Sequence, residues 1–226
     1  MLIIDTYAYT NKLKDTNPML KFFLSMGLLF TAIIIKNIAI ESFIIFFMAF
    51  FTIFIAKIPL KSYFYMLILP LSFLLLSILG ILISVSKVNV NYLWSIDLFN
   101  LYFGISKATL FTTKHLLFRS ISALTCTYFL VLTTPMNDLI LVFKKLKLPI
   151  VFLEMSILIY RFIFIFLEEA KEIHIAQELR FGYSNFKNSY RSISSLIASL
   201  FIRIFKRYED MKYSLAMKGF NNQFHI

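Results

Sequence analysis

The stretch that decides the fold is Pro149-Ile-Val-Phe-Leu-Glu154-Met-Ser-Ile-Leu-Ile-Tyr-Arg161-Phe-Ile-Phe-Ile-Phe-Leu167. By length and hydropathy it is a membrane crossing, since a hydrocarbon core of about 30 Å takes ~20 apolar helical residues. Its charges argue otherwise. Glu154 and Arg161 stand seven residues apart, on one face of a helix, and Glu168 continues the stripe. Such a stripe suits a helix that lies in or dips from the interface, shielded by other helices. The flanks agree, because a crossing would put Lys144, Lys145 and Lys147 on the opposite side from the basic tail. We therefore read a buried or interfacial helix that continues through Glu168, Glu169, Lys171 and Glu172 to about Phe181. In this reading Glu154 and Arg161 form a structural ion pair that orients the helix. A fifth crossing is the competing reading.

Upstream, four segments are long and apolar enough to span: Leu20 to Ile35, Ile38 to Ala56, Tyr63 to Ser84, and a helix from about Gly104 whose inner part is Leu116 to Leu132. Only Lys36-Asn37 separates the first two, which predicts a tight helical hairpin. Pro70 and Gly80 mark kinks in the third, and the polar segment Lys87 to Asn100 leads to the fourth. The expected fold is all-α, a polytopic bundle of four spanning helices, or five if 149–167 crosses. Residues 1–134 form the bundle, and 135–226 an interfacial and cytoplasmic coupling region. Of the whole chain, 59% is hydrophobic, with 27 Phe among 226 residues, more apolar surface than a water-soluble domain of this size can hide.

Lysines at 12, 14, 21, 57, 61, 144, 145 and 147 assign their segments to the cytoplasm, which places both termini inside a multi-pass protein of the cell membrane. From Pro135 onward there are thirteen Lys plus Arg against eight Asp plus Glu. This charge is interleaved with apolar runs and lacks any nucleic-acid-binding signature, so it suits the lipid bilayer or an acidic protein partner rather than nucleic acid. Gly182 to Ser189 reads as a turn. Ile193, Leu196, Ile197, Leu200, Phe201 and Ile204 then recur at helical spacing, followed by Arg203, Lys206, Arg207 and Lys212, and the helix ends at Lys218-Gly219. Two long basic helices joined by a short turn make a platform.

No hydrolase, zinc-protease or phosphate-loop motif is present, so the chain is not read as an enzyme and has no means to hydrolyse ATP itself. His115, His174 and His225 are scattered and predict no metal site, and Cys126 is read as an apolar packing residue. A non-transport scaffold or an ion-conducting protein using Arg119 and Arg161 is the reading from another class.

Several segments together resemble the transmembrane component of energy-coupling-factor transporters, in its cobalt-type CbiQ branch. They are Asp5-Thr-Tyr-Ala-Tyr-Thr-Asn-Lys-Leu, Pro18-Met-Leu-Lys21, Thr133-Thr134-Pro135-Met-Asn-Asp138-Leu139, Leu146-Lys-Leu-Pro149, and Tyr160-Arg161-Phe162 with Glu168-Glu169. The resemblance implies a non-catalytic subunit of an ATP-driven metal uptake system, with cobalt as substrate and nickel or a vitamin as alternatives. It implies no cofactor in this chain: ATP and Mg belong to a CbiO-like ATPase pair, and the metal to a CbiM-like membrane subunit, with or without a small CbiN-like one. In that family two Ala-Arg-Gly motifs near the ends of the coupling helices grip the ATPases. The first falls here within Ala176-Gln-Glu-Leu-Arg180-Phe-Gly182, with Leu179 and Phe181 in place of the motif Ala and Gly. The second falls on Ala216-Met-Lys218-Gly219, where Lys keeps the charge but loses the planar fork of Arg.

Overall fold

The computed structural model describes residues 3–82, 84–86, 92–98 and 101–217. The chain divides into two compact units, Met1–Leu139 and Ile140–Ile226.

The first unit is a helical bundle. Helix α1 spans Ile3–Thr10 and α2 spans Pro18–Ile34. Asn17 caps α2 by accepting from the Met19 amide at 3.0 Å, and Pro18 occupies the first turn, where its missing N–H costs nothing. The tight hairpin is present: α3 begins at Ile38, capped by Asn37 through the Ala39 amide at 3.0 Å. Helix α3, Ile38–Phe50, runs directly into a π turn at Phe51–Ile55, closed by the Ala56 amide on the Phe51 carbonyl at 3.0 Å. Lys57, at φ 58°, then reverses the chain into α4, Leu60–Leu82, which carries Pro70 in its interior.

A three-stranded antiparallel sheet follows, made of β1 Ser84–Ser86, β2 Tyr92–Leu98 and β3 Leu101–Ser106 in the order β1-β3-β2. This corrects two sequence-based boundaries. Ser84 belongs to a strand rather than to the end of α4, and Gly104 pairs with Ser84 and Ser95 instead of opening a helix. Tyr, Trp, Ile and Phe fit a pleated surface better than a helix start. Helix α5 begins later, at Lys107, and runs to Thr133.

Helix α5 is the hub, packing on α1, α2, α3 and α4. Ala32, Ile44, Met48, Cys126 and Phe129 form one buried cluster, with Cys126 fully enclosed as a packing residue. Ala56, Ile58, Tyr63, Leu67 and Leu132 form a second. Small residues let the helices approach, and Ser25 Oγ donates across the interface to the Cys126 carbonyl at 2.8 Å.

Helix α6, Met136–Lys145, carries the chain past residue 139 and places Lys144 and Lys145 at its C-terminal, negative end. The second unit is dominated by two helices, α7 at Ile150–Glu178 and α8 at Phe186–Met217. Four helices, counting α3 with its π turn, are apolar and long enough to cross a membrane, namely α3, α4, α5 and α7. The count matches the sequence reading but the members differ: α2 has 17 residues and falls short, whereas α7 qualifies. In the most apolar window of α7, 6% of the residues are buried. Ile150, Val151, Phe152, Met155, Ile159 and Ile163 are exposed, so lipid or protein must cover them. Helix α8 starts at Phe186, inside the stretch expected to be a turn.

Candidate functional site

The turn between α7 and α8 is built around one side chain, Gln177. Its backbone carbonyl accepts from the Gly182 amide at 2.9 Å and the Arg180 amide at 3.2 Å, closing the end of α7. Its side-chain Nε2 donates to the Ser192 carbonyl on α8 at 3.0 Å, and its Oε1 accepts from the Tyr183 hydroxyl at 2.7 Å. Ser192 Oγ returns a hydrogen bond to the Gly182 carbonyl at 2.8 Å, and the His174 and Tyr183 rings meet at 4.6 Å. An amide, with one donor end and one acceptor end, is what this geometry requires.

Two backbone positions make the corner tight. A Cβ on Gly182 would lie 2.6 Å from Ser192 Oγ and 2.8 Å from the Gln177 carbonyl oxygen, so only glycine fits. Phe181 sits at φ 56°, the left-handed region that disfavours bulky residues. Phe181 is the position at which the motif places glycine, and this backbone conformation is a physical reason for that preference. Arg180 lies between Leu179 and Phe181, which are 78% and 80% exposed. Arg180 is itself exposed and makes no ion pair among the described residues. A free guanidinium is thus presented between two large apolar side chains.

Farther along, α7 and α8 run antiparallel and are clamped by charge. Glu169, with a side chain 12% exposed, accepts from Arg203 Nη1 at 2.9 Å on one oxygen and from Arg207 Nη2 at 3.1 Å on the other. Glu172 lies 3.9 Å from Arg203. Glu169 stands in the charged part of α7 beyond the apolar run. The hydrogen bonds from Arg203 and then Arg207 hold its carboxyl below the ordinary range. Closer to the start of α7, Ile159, Phe162, Phe166, Ile204, Phe205 and Tyr208 border an apolar groove of about 420 Å³ between the two helices.

The remaining sequence-predicted residues are placed as follows. Ala176 is exposed on the last turn of α7, and Ala216 is exposed at the end of α8 beside Met217. Lys218 and Gly219 lie outside the described residues. Glu154 is half-buried and Arg161 exposed, two turns apart on α7. Gln177, Tyr183 and Ser192 are the positioning residues that sequence reasoning missed. Among the described residues no group of three or more His, Cys, Asp or Glu could hold a metal.

In the first unit, three of the segments that carry the family resemblance converge. Lys21, 6% exposed, donates through Nζ to the Leu13 and Thr133 carbonyls, both at 3.0 Å. Asn11 Nδ2 donates to the Ala8 carbonyl at 2.7 Å and the Leu132 carbonyl at 3.2 Å. Lys21, counted from sequence among the cations that set topology, is a buried tie between α2 and the end of α5.

Comparison with known proteins gives a consistent picture. Residues 10–226 match the CbiQ family, described as cobalt transport protein. The chain is 32% identical to the cobalt transport protein CbiQ of Salmonella typhimurium, covering 99% of each. It is 31% identical to an uncharacterized protein of Methanocaldococcus jannaschii, over 99% of this chain and 82% of that one. A fused cobalt transport protein, CbiMQ, of Methanocorpusculum labreanum is 32% identical over 94% of this chain and 35% of its own length. With its multi-pass helical fold, the chain belongs to the CbiQ family of cobalt transport proteins, the transmembrane component of energy-coupling-factor transporters.

Proposed function

We propose that this chain transmits the motion of a separate ATPase pair to a separate metal-binding membrane subunit, in uptake of a divalent transition metal, cobalt. The observation that carries the reading is the α7–α8 corner, where Arg180 stands exposed between Leu179 and Phe181 on a turn locked by Gln177. A cation with apolar flanks suits an acidic groove with apolar walls, and a buried, bidentate arginine is a common anchor of protein interfaces. Ala216 at the end of α8, with Lys218 and Gly219 next along the sequence, makes the second grip, and Ala176 and Gly182 complete the first. Glu154 and Arg161 orient α7. In this reading ATP and Mg are bound by the ATPases, this chain holds no cofactor, and both termini face the cytoplasm. The fused relative supports a CbiM-like partner, because its name joins that subunit to this one in a single polypeptide.

Two stiff helices joined at a hydrogen-bonded corner can each carry movement between sites as a rigid body. The test is Arg180→Ala in the assembled transporter, read as co-purification of the ATPase and as uptake of radiolabelled cobalt. Loss of one hot-spot arginine costs about 2 kcal/mol or more, so ATPase binding should weaken roughly thirtyfold, with the thermal midpoint of this chain unchanged. Full cobalt uptake by that variant sinks the reading.

A further inference from the structure

Between α3 and α5, within the first unit, lies a cavity of about 320 Å³ bordered by Lys36, Glu41, Phe111, His115, Leu116 and Arg119. The uptake mechanism proposed above does not use it. Glu41 is 0% exposed, and neither of its carboxylate oxygens has a hydrogen-bond partner. Arg119 Nη2 and His115 Nδ1 are likewise buried without partners. Among the described residues no ion pair joins Glu41 to Arg119, although both face the same space. At the other side of the cavity Lys36 and Phe111 are exposed, and Lys36 belongs to the α2–α3 turn. The cavity thus leads from a helix end into the bundle.

A carboxylate and a guanidinium buried in a bundle, each with unsatisfied atoms, are costly unless something neutralises both. A divalent cation does not suit the site, because one carboxylate faces two permanent cations. A simple anion would satisfy Arg119 and Lys36 but leave Glu41 facing like charge. The requirement is one small group with an anion at one end and a hydrogen-bond-donating cation at the other. We propose that the cavity binds a phosphoethanolamine group, its phosphate toward Lys36, His115 and Arg119 and its ammonium toward Glu41. A phosphocholine headgroup has the same charges, but its trimethylammonium has no N–H to give the two carboxylate oxygens. A phosphoglycerol headgroup has donors but brings no cation. In a membrane-spanning chain the ready source is lipid, whose acyl chains would run beside the exposed ring of Phe111. A water-soluble phosphoethanolamine shares the same chemistry.

The test is native mass spectrometry of the full chain in detergent with an equimolar mixture of ethanolamine, choline and glycerol phospholipids. Because only the ethanolamine ammonium can donate charge-assisted hydrogen bonds to Glu41, the ethanolamine lipid should be retained about tenfold or more over the choline lipid. Glu41→Gln should bring the two toward parity, and Arg119→Gln should lower retention of all three. Lys36→Gln, at an exposed position, should lower retention of the ethanolamine lipid without moving the thermal midpoint, so the test survives misfolding of the buried variants. Displacement of that lipid by glycerophosphoethanolamine would mean the free headgroup also reaches the site. Resistance to displacement would mark lipid as the source, and both results support the site. Equal retention of the ethanolamine and choline lipids, unaltered by Lys36→Gln, overturns it and leaves a cavity bridged by water alone.

Discussion

The two units hold themselves together by opposite means. The first buries its polar ties: Lys21, Asn11 and Ser25 reach across the bundle to backbone carbonyls on α5. The second wears its ties at the surface, where Glu169 meets two arginines that are more than half exposed, and Gln177 joins two otherwise open helices. A bond to a buried carbonyl has no substitute in lipid, whereas an exposed ion pair competes with water. The first arrangement suits a body that keeps its shape, the second a pair of arms whose angle responds to what binds them.

Substitutions can break or sharpen this contrast. The largest effect is expected from Lys21→Met, which removes two charge-assisted bonds and takes from the Thr133 carbonyl its donor on α2. It should lower stability by about 3 kcal/mol, read as a fall in thermal midpoint of the purified chain. An unchanged midpoint would remove the basis for calling the first unit carbonyl-tied. Gly182→Ala should cost about 2 kcal/mol, because its Cβ meets a backbone oxygen that cannot step aside. Its mark should be faster proteolysis at the α7–α8 turn, with the bundle intact.

Glu169→Gln should cost about 1 kcal/mol or less, since both arginine partners are solvated. The same carboxylate gives the second unit a pH dependence. Its folded value lies below the ordinary 4.5, so its contribution is complete above that pH and is lost as pH falls through the folded value. Proteolysis of the hairpin followed from pH 7 downward should rise in the native chain and stay flatter in the Gln variant. Smallest of all, Phe181→Gly should stabilise the corner by about 0.5 kcal/mol, as relief from the left-handed conformation outweighs the added chain entropy. Destabilisation would mean that the exposed ring contributes to the fold rather than serving a partner.

Much of this architecture was legible in the sequence, because hydropathy reports length and the Lys36-Asn37 break leaves room only for a hairpin. The long antiparallel pair after Pro149 was legible for the same reason, from apolar periodicity followed by charge. Three features were not. Lys21 reads as a solvated cation because a charge rule cannot see the carbonyls that receive it. The strands are hidden because β2 falls within Lys87 to Asn100, which reads as a polar connection, while Ser84 and Gly104 read as the ends of the flanking helices. The Gln177 lock joins positions 6 and 15 residues ahead, a spacing that belongs to no single helix or strand. Of the candidate site, resemblance rather than periodicity singled out Arg180, and only the fold explains why Gly182 must be glycine. Glu41 and Arg119 lie 78 positions apart in the chain and share a cavity only once α3 packs on α5.

The clamp at Glu169 also sets a mechanical ratio. With 1.5 Å of rise per residue, the 29-residue α7 is about 43 Å long, and Glu169 stands roughly 12 Å from the Gln177 corner. An arm pivoting at that corner multiplies displacement about threefold between the clamp and its far end. One ångström of slack between Glu169 and its arginines becomes about 3 Å where the apolar half of α7 begins. A contact the size of a single hydrogen bond can thereby govern a shift comparable to half a helical turn.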